Sequence, residues 1–332
     1  MDLTTKYLGL SLKNPIVVGS CGLTSSVSEI KELEKQGAAA VVLKSIFEEE
    51  ILMDVKNQLR EARDDSFIYD KYSETLDYID LHVKKERLDE YLQLIKAAKK
   101  DVLIPIIASI NCVSAAEWTD FAKHLEEAGA DALELNISLN PADLVTRDFE
   151  ESIKAIVRKV LAQVTVPVAI KINNNFTHMA KTILDLSQTG ISGLVLFNRA
   201  YTADIDIATL QAVQGRSFSS PHDFVESMRW IALLSDKVNC SLAASTGIHT
   251  HEAVIKQILA GADAVQIVSV LYENGIESIN GLLSGLEKWM REKGFSSLEK
   301  FKGKASSKNV GNPAVFERIQ FMKYFSEIHG NG

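Results

Sequence analysis

Gly261-Ala262-Asp263-Ala264-Val265-Gln266-Ile267-Val268-Ser269 decides how this chain is read, because its entrance recurs three more times. Gly37-Ala38-Ala39-Ala40-Val41-Val42-Leu43, Gly129-Ala130-Asp131-Ala132-Leu133-Glu134-Leu135 and Gly190-Ile191-Ser192-Gly193-Leu194-Val195-Leu196 each set a glycine between a helical pattern and an apolar run. A glycine in that place ends a helix. Between these segments lie four further apolar runs, Pro15 to Val18, Leu103 to Ala108, Pro167 to Ile170 and Ser241 to Ala244. Strand and helix patterns therefore alternate, which predicts parallel pairing in an α/β fold. Eight such units predict a (β/α)8 TIM barrel.

In a parallel barrel every strand ends on the same carboxyl-terminal face, where enzymes of this architecture carry their active sites. The residues ending these runs are Ser20/Cys21, Lys44/Ser45, Asn111/Cys112, Asn136/Ser138, Lys171/Asn173, Asn198/Arg199, Thr246/Gly247 and Ser269. Two lysines, several asparagines and a set of small residues would then converge. Asparagine offers a donor and an acceptor, the pairing that a flat ring edged with C=O and N–H groups requires.

The chain has 332 residues, 46% of them hydrophobic, with a net charge of −8 and only three cysteines. That length suits one barrel with insertions, read as residues 1–305, followed by an extension over 306–332. The acidic balance argues against nucleic acid or an anionic membrane surface as partner and favours a small-molecule substrate. No apolar stretch is long enough to span a bilayer, and Met1-Asp2-Leu3-Thr4-Thr5 does not open a signal peptide. Cytoplasmic residence is expected, with Cys21, Cys112 and Cys240 as free thiols. No metal site is expected, and His249 and His251 read as helix-cap or solvent residues.

Two segments exceed the minimal barrel. Residues 48–84 are charged and aromatic and follow the second strand on the active face, as an insertion over the pocket or a solvated helix and loop. The tail after Lys304 ends in Phe316, Ile319, Phe321, Met322 and Phe325, enough apolar residues for one short helix against the barrel or a second subunit.

Asn14-Pro15-Ile16-Val17-Val18-Gly19-Ser20, Val42-Leu43-Lys44-Ser45, Glu134-Leu135-Asn136-Ile137-Ser138, Val168-Ala169-Ile170-Lys171, Ala244-Ser245-Thr246-Gly247-Ile248 and Gln266-Ile267-Val268-Ser269 fall in one order and spacing. In that order they resemble the dihydroorotate dehydrogenase family from about Leu3 to Lys304. The resemblance implies a barrel bearing FMN that takes a hydride from a dihydropyrimidine in pyrimidine biosynthesis. It also implies a homodimer. Lys171 matches the family's flavin-contacting lysine, and Lys44 the second lysine near flavin and substrate. Gly19, Ser20, Ser45, Asn111, Asn136, Ser220, Thr246, Gly247, Val268 and Ser269 complete the implied flavin set. Substrate would be held by Lys44, Asn136, Asn198 and Arg199.

Three departures from the family pattern bear on activity. The family places a Cys or Ser base directly after the Asn-x-Ser of the fourth strand, and here Leu139 stands there. Leucine cannot accept a proton, so a term worth about 10²–10⁴ in rate must come from elsewhere. Ser138 and Cys112 are the nearest candidates by strand position. Residues 48–78 hold one asparagine, Asn57, and no glycine where the family has a glycine-asparagine loop. Arg199 follows the sixth-strand asparagine, and it can clamp an anion or pair with Asp204 or Asp206. The alternatives are a flavin-binding homologue with a different anionic substrate or no catalysis, and a barrel using Lys171 as an amine nucleophile.

Overall fold

The computed structural model describes residues 1–47, 72–111, 117–137, 149–199 and 203–317. The eight apolar runs form eight parallel strands: β1 (Ile16–Val18), β2 (Ala40–Val42), β3 (Ile106–Asn111), β4 (Ala132–Asn136), β5 (Val168–Ile172), β6 (Gly193–Leu196), β7 (Ser241–Ala244) and β8 (Ala264–Ile267). Each pairs with its neighbour in chain order. The ring closes where β8 pairs with β1, Val265 opposite Ile16. The (β/α)8 barrel is therefore complete.

Helices α1 (Val27–Lys35), α2 (Tyr72–Asp101), α3 (Glu117–Glu127), α4 (Phe149–Leu161), α5 (Met179–Ser187), α6 (Phe224–Leu234), α7 (His251–Ala260), α8 (Ser269–Asn274) and α9 (Ser278–Lys293) follow the strands. The four repeated glycines show why the repeat reads so clearly. Gly37, Gly129, Gly190 and Gly261 have φ of +107°, +99°, +98° and +118°, a region that side chains disfavour. Each turns the chain out of a helix and into a strand.

The period-2 alternation of strand side chains divides the barrel into an outer and an inner set. Ile16, Val18, Val41, Ile106, Leu133, Ile170 and Leu194 belong to the large core with the helices. Val17, Ala40, Val42, Ile107, Ala132, Ala169, Val195, Ala243 and Ala264 form a separate inner cluster with Tyr7, Leu8 and Leu12. Those last three come from an antiparallel hairpin, Thr5–Tyr7 with Leu10–Leu12. It seals the amino-terminal end of the barrel. A Cβ on Gly193 would lie 2.4 Å from Leu8 Cδ2, so the plug fits only over a bare backbone there.

One step further along the same inward positions the chemistry changes. Two residues beyond Ile107, Ala132, Ala169, Ala243 and Ala264 stand Ser109, Glu134, Lys171, Ser245 and Gln266, all buried. The interior passes from alanine and valine to hydroxyl, carboxylate, amine and amide as it approaches the carboxyl-terminal face. Buried polar groups are tolerated only when partnered, so this layer marks the end of the barrel that has work to do.

Of the insertion expected over residues 48–84, Tyr72 to Lys84 form the beginning of α2, and residues 48–71 lie outside the described set. A second hairpin, Ala203–Asp206 with Gln211–Gln214, follows β6 and exposes Ile205, Ile207 and Leu210. The start of the tail docks through Ser307, whose amide donates to the Ala232 carbonyl at 2.7 Å. Ala314–Glu317 makes one helical turn, with the Phe316 carbonyl accepting from Arg229 Nε at 2.7 Å. Ile319, Phe321, Met322 and Phe325 lie outside the described residues. Among the described residues, no helix is long and apolar enough to cross a membrane.

Candidate cofactor and active site

A cavity of about 200 Å³ opens at the carboxyl-terminal ends of the strands. Of the residues singled out from the sequence, Ser20, Lys171, Asn198, Arg199, Thr246, Gly247, Val268 and Ser269 line it. Its floor is the polar layer. Lys171 Nζ donates to Gln266 Oε1 at 2.9 Å and lies 3.7 Å from Glu134 Oε1. Gln266 Nε2 in turn donates to Glu134 Oε2 at 2.5 Å. Glu134 is fully buried and its Oε1 makes no hydrogen bond. The amine is thus a fixed, buried cation held by a carbonyl and a carboxylate.

Two strand-ending asparagines pair above this floor. Asn198 Nδ2 donates to Asn136 Oδ1 at 2.7 Å. This bond leaves the Asn198 oxygen free to accept and the Asn136 amide nitrogen free to donate. Together they offer the alternating edge that a pyrimidine ring would match.

The wall formed after β7 and β8 is rich in donors. Thr246 and Gly247 take φ of +75° and +77°. A Cβ on Gly247 would stand 2.1 Å from the Phe224 backbone nitrogen, so only glycine lets this loop lie against the start of α6. Among the described residues, no acceptor takes the amides of Gly247 and Ile248. Arg199 Nη2 donates to the Arg216 carbonyl at 2.6 Å. Its Nη1 lies 3.6 Å from Asp223 Oδ2 and is buried without a hydrogen bond. Arg199 thus pairs with Asp223, and neither Asp204 nor Asp206 takes that place.

Other residues chosen from the sequence sit elsewhere. Gly19 lets β1 approach β8, since a Cβ there would be 3.0 Å from Val268 Cγ2. Ser45 is buried beneath Ser20, its amide donating to Ser20 Oγ at 2.9 Å and its hydroxyl 2.7 Å from Ser109 Oγ. It supports the lining without joining it. Ser220 is committed to Asp223, its amide and hydroxyl donating at 2.8 and 2.7 Å. Lys44 is exposed, in the turn between β2 and a two-residue strand, Ile46–Phe47, that pairs with Ile110 and Asn111. Lys44, Asn111 and Asn136 do not line this cavity, and Asn136 reaches it only through Asn198. Ser138, Leu139 and Cys112 lie outside the described residues. Burial pushes the Cys240 thiol up to about 12, with Asp263 adding to it, which leaves it inert.

The sequence reading missed Phe218, Ser219 and Ser245 in the lining, and it placed His249 wrongly. The His249 side chain is only 5% exposed, set between Ser219 and Glu273. Thr250 caps α7 instead, its side chain accepting from the Ala253 amide. His251 does reach solvent, paired with Glu252. Among the described residues, no group of three His, Cys, Asp or Glu could hold a metal ion.

A family model described as dihydroorotate dehydrogenase matches residues 2–290. The catalytic subunit of dihydroorotate dehydrogenase B (NAD(+)) from Thermoplasma volcanium is 28% identical over 92% of this chain and 98% of its own. The subunit of that name from Pyrococcus furiosus is 26% identical, with 92% and 99% covered. The NAD-dependent dihydropyrimidine dehydrogenase subunit PreA of Escherichia coli is 24% identical over 93% of this chain and 78% of its own.

Proposed function

Because the chain belongs to the dihydroorotate dehydrogenase family, oxidoreductases that act on CH–CH groups, we propose that it binds FMN at the carboxyl-terminal face. There it oxidises a small, anionic, cyclic substrate, with dihydroorotate as the first candidate and pyrimidine biosynthesis as the setting. The family is flavin-dependent. One observation carries the reading: a single cavity gathers a buried cation, the Asn198 amide backed by Asn136, and several unengaged donors.

The residues present suit the cofactor. Gly247 and Ile248 amides, Arg199 Nη1 and the Ser269 hydroxyl supply donors for a phosphate, which backbone N–H groups at close approach favour. Bound FMN would supply the two-electron acceptor. Lys171 contributes a preorganised positive charge that stabilises a reduced, anionic ring without reorganisation. Asn136 and Asn198 orient a ring edge and exclude water from their own polar groups. Ser20, backed by Ser45 and Ser109, supplies a fixed hydroxyl.

A second reading is favoured by Leu139 in the family's base position. In it the chain is a flavin-binding homologue that acts on a different small anion, or that has no catalysis. The purified protein's visible spectrum, followed by anaerobic addition of dihydroorotate, separates the two. Bleaching of a bound flavin supports dihydroorotate oxidation, and an unchanged yellow protein rejects that substrate. We further propose a cytoplasmic homodimer. The unpaired thiols of Cys21 and Cys240 suit a reducing compartment, and the exposed apolar hairpin after β6 suits a subunit contact.

A further inference from the structure

Beside the cavity lies a line of four side chains drawn from three separate segments. Glu273 Oε2, on α8, is 3.4 Å from His249 Nδ1. His249 Nε2 is 3.1 Å from Ser219 Oγ. Ser219 Oγ donates to Ser269 Oγ at 3.0 Å, and the Ser219 amide donates to the same oxygen at 3.0 Å. Ser219 and Ser269 both line the cavity.

The capacity of each group fixes the direction of the line. A hydroxyl has one donor and two acceptor positions. Ser269 Oγ already accepts from Ser219 twice, so its own hydrogen is what it has left to give, and it lines the cavity. Ser219 spends its hydrogen on Ser269 and can take only a donor from His249. His249 therefore donates from Nε2, and its Nδ1 edge faces the Glu273 carboxylate. Arg216 Nη2 lies 3.4 Å from Glu273 Oε1.

Resting on the FMN reading above, we propose that His249, oriented by Glu273, is a positioning residue that polarises Ser219 and Ser269 toward the cofactor's terminal phosphate. It thereby makes the cavity select a phosphorylated flavin over its dephospho form. The relay supplies, through side chains, anion-binding strength in a wall where Thr246 and Val268 occupy positions that glycine could fill. It acts on the phosphate and leaves the ring contacts alone.

The test compares FMN with riboflavin on flavin-stripped protein, by fluorescence titration. The wild type should prefer FMN. His249→Ala and Ser269→Ala should weaken FMN by on the order of ten- to a hundredfold, the scale of a charge-assisted hydrogen bond, with riboflavin affinity unchanged. Ser269→Thr keeps the hydroxyl and should keep the preference, which guards against a variant that merely folds poorly. Equal losses for both flavins, or undiminished FMN binding by His249→Ala, would overturn the relay while leaving the FMN reading intact. Wild-type protein that takes up neither flavin would overturn both.

Discussion

Replacing Lys171 by methionine isolates the charge at the barrel floor. Methionine keeps the length and apolar volume of the stem but withdraws the ammonium from a carboxylate 3.7 Å away. Glu134 is fully buried and its Oε1 makes no hydrogen bond. Unit charges at that separation attract by about 4–5 kcal/mol at an effective dielectric of about 20. Breaking one side of a buried pair costs about 3–5 kcal/mol in general. The two figures agree. A domain of this size loses about 2 °C of melting temperature per kcal/mol, so Lys171→Met should melt about 6–10 °C below the wild type. The assay is calorimetry on flavin-free protein at neutral pH, which removes the stabilisation that a bound ligand adds. Adding Glu134→Gln removes the stranded charge and should recover most of the loss. Such a double variant should still hold FMN more weakly, or at a lower reduction potential, because the cation is gone. A single variant melting within about 1 °C of the wild type, or a double variant no more stable than the single, would refute this reasoning.

Gly247→Ala puts a Cβ 2.1 Å from the Phe224 nitrogen in a left-handed residue, so it should lower the melting temperature sharply and abolish flavin uptake, measured by calorimetry and absorbance. Thr246→Gly releases a β-branched residue from φ +75°, worth about 1–2 kcal/mol, against about 1 kcal/mol for the lost Thr246 Oγ1 to Phe197 carbonyl bond. A net gain below about 1 kcal/mol should appear in denaturant unfolding. Leu139→Cys should raise anaerobic flavin bleaching by dihydroorotate if a missing base is the obstacle, and no gain would point to the rebuilt segment over residues 48–78. Ile207→Glu with Leu210→Glu, on the exposed hairpin, should shift the protein to monomer in analytical ultracentrifugation, and an unchanged sedimentation coefficient would place the dimer contact elsewhere.

The fold was legible because its punctuation is local. Gly37, Gly129, Gly190 and Gly261 announce helix ends within a few residues of the strands they feed, and strand alternation then assigns Ala169 and Lys171 to the same inner face. Side chains converging after β7 and β8 were legible for a similar reason, since Thr246, Gly247, Val268 and Ser269 directly follow their strands. What escaped depends on distant contacts. His249 meets Ser219 and Glu273 across 30 and 24 positions of sequence, and nothing in its neighbours hints at burial. Lys44 follows a strand as Lys171 does, but it is exposed in the turn before Ile46–Phe47 and stands outside the cavity lining. Strand position alone cannot register that turn.

A crystal structure of the protein loaded with FMN should place the phosphate beside Gly247, Ile248 and Ser269, with the pyrimidine edge of the ring against Lys171, Asn136 and Asn198. Density for the flavin at any other place, or none in a crystal grown from saturating FMN, would contradict it.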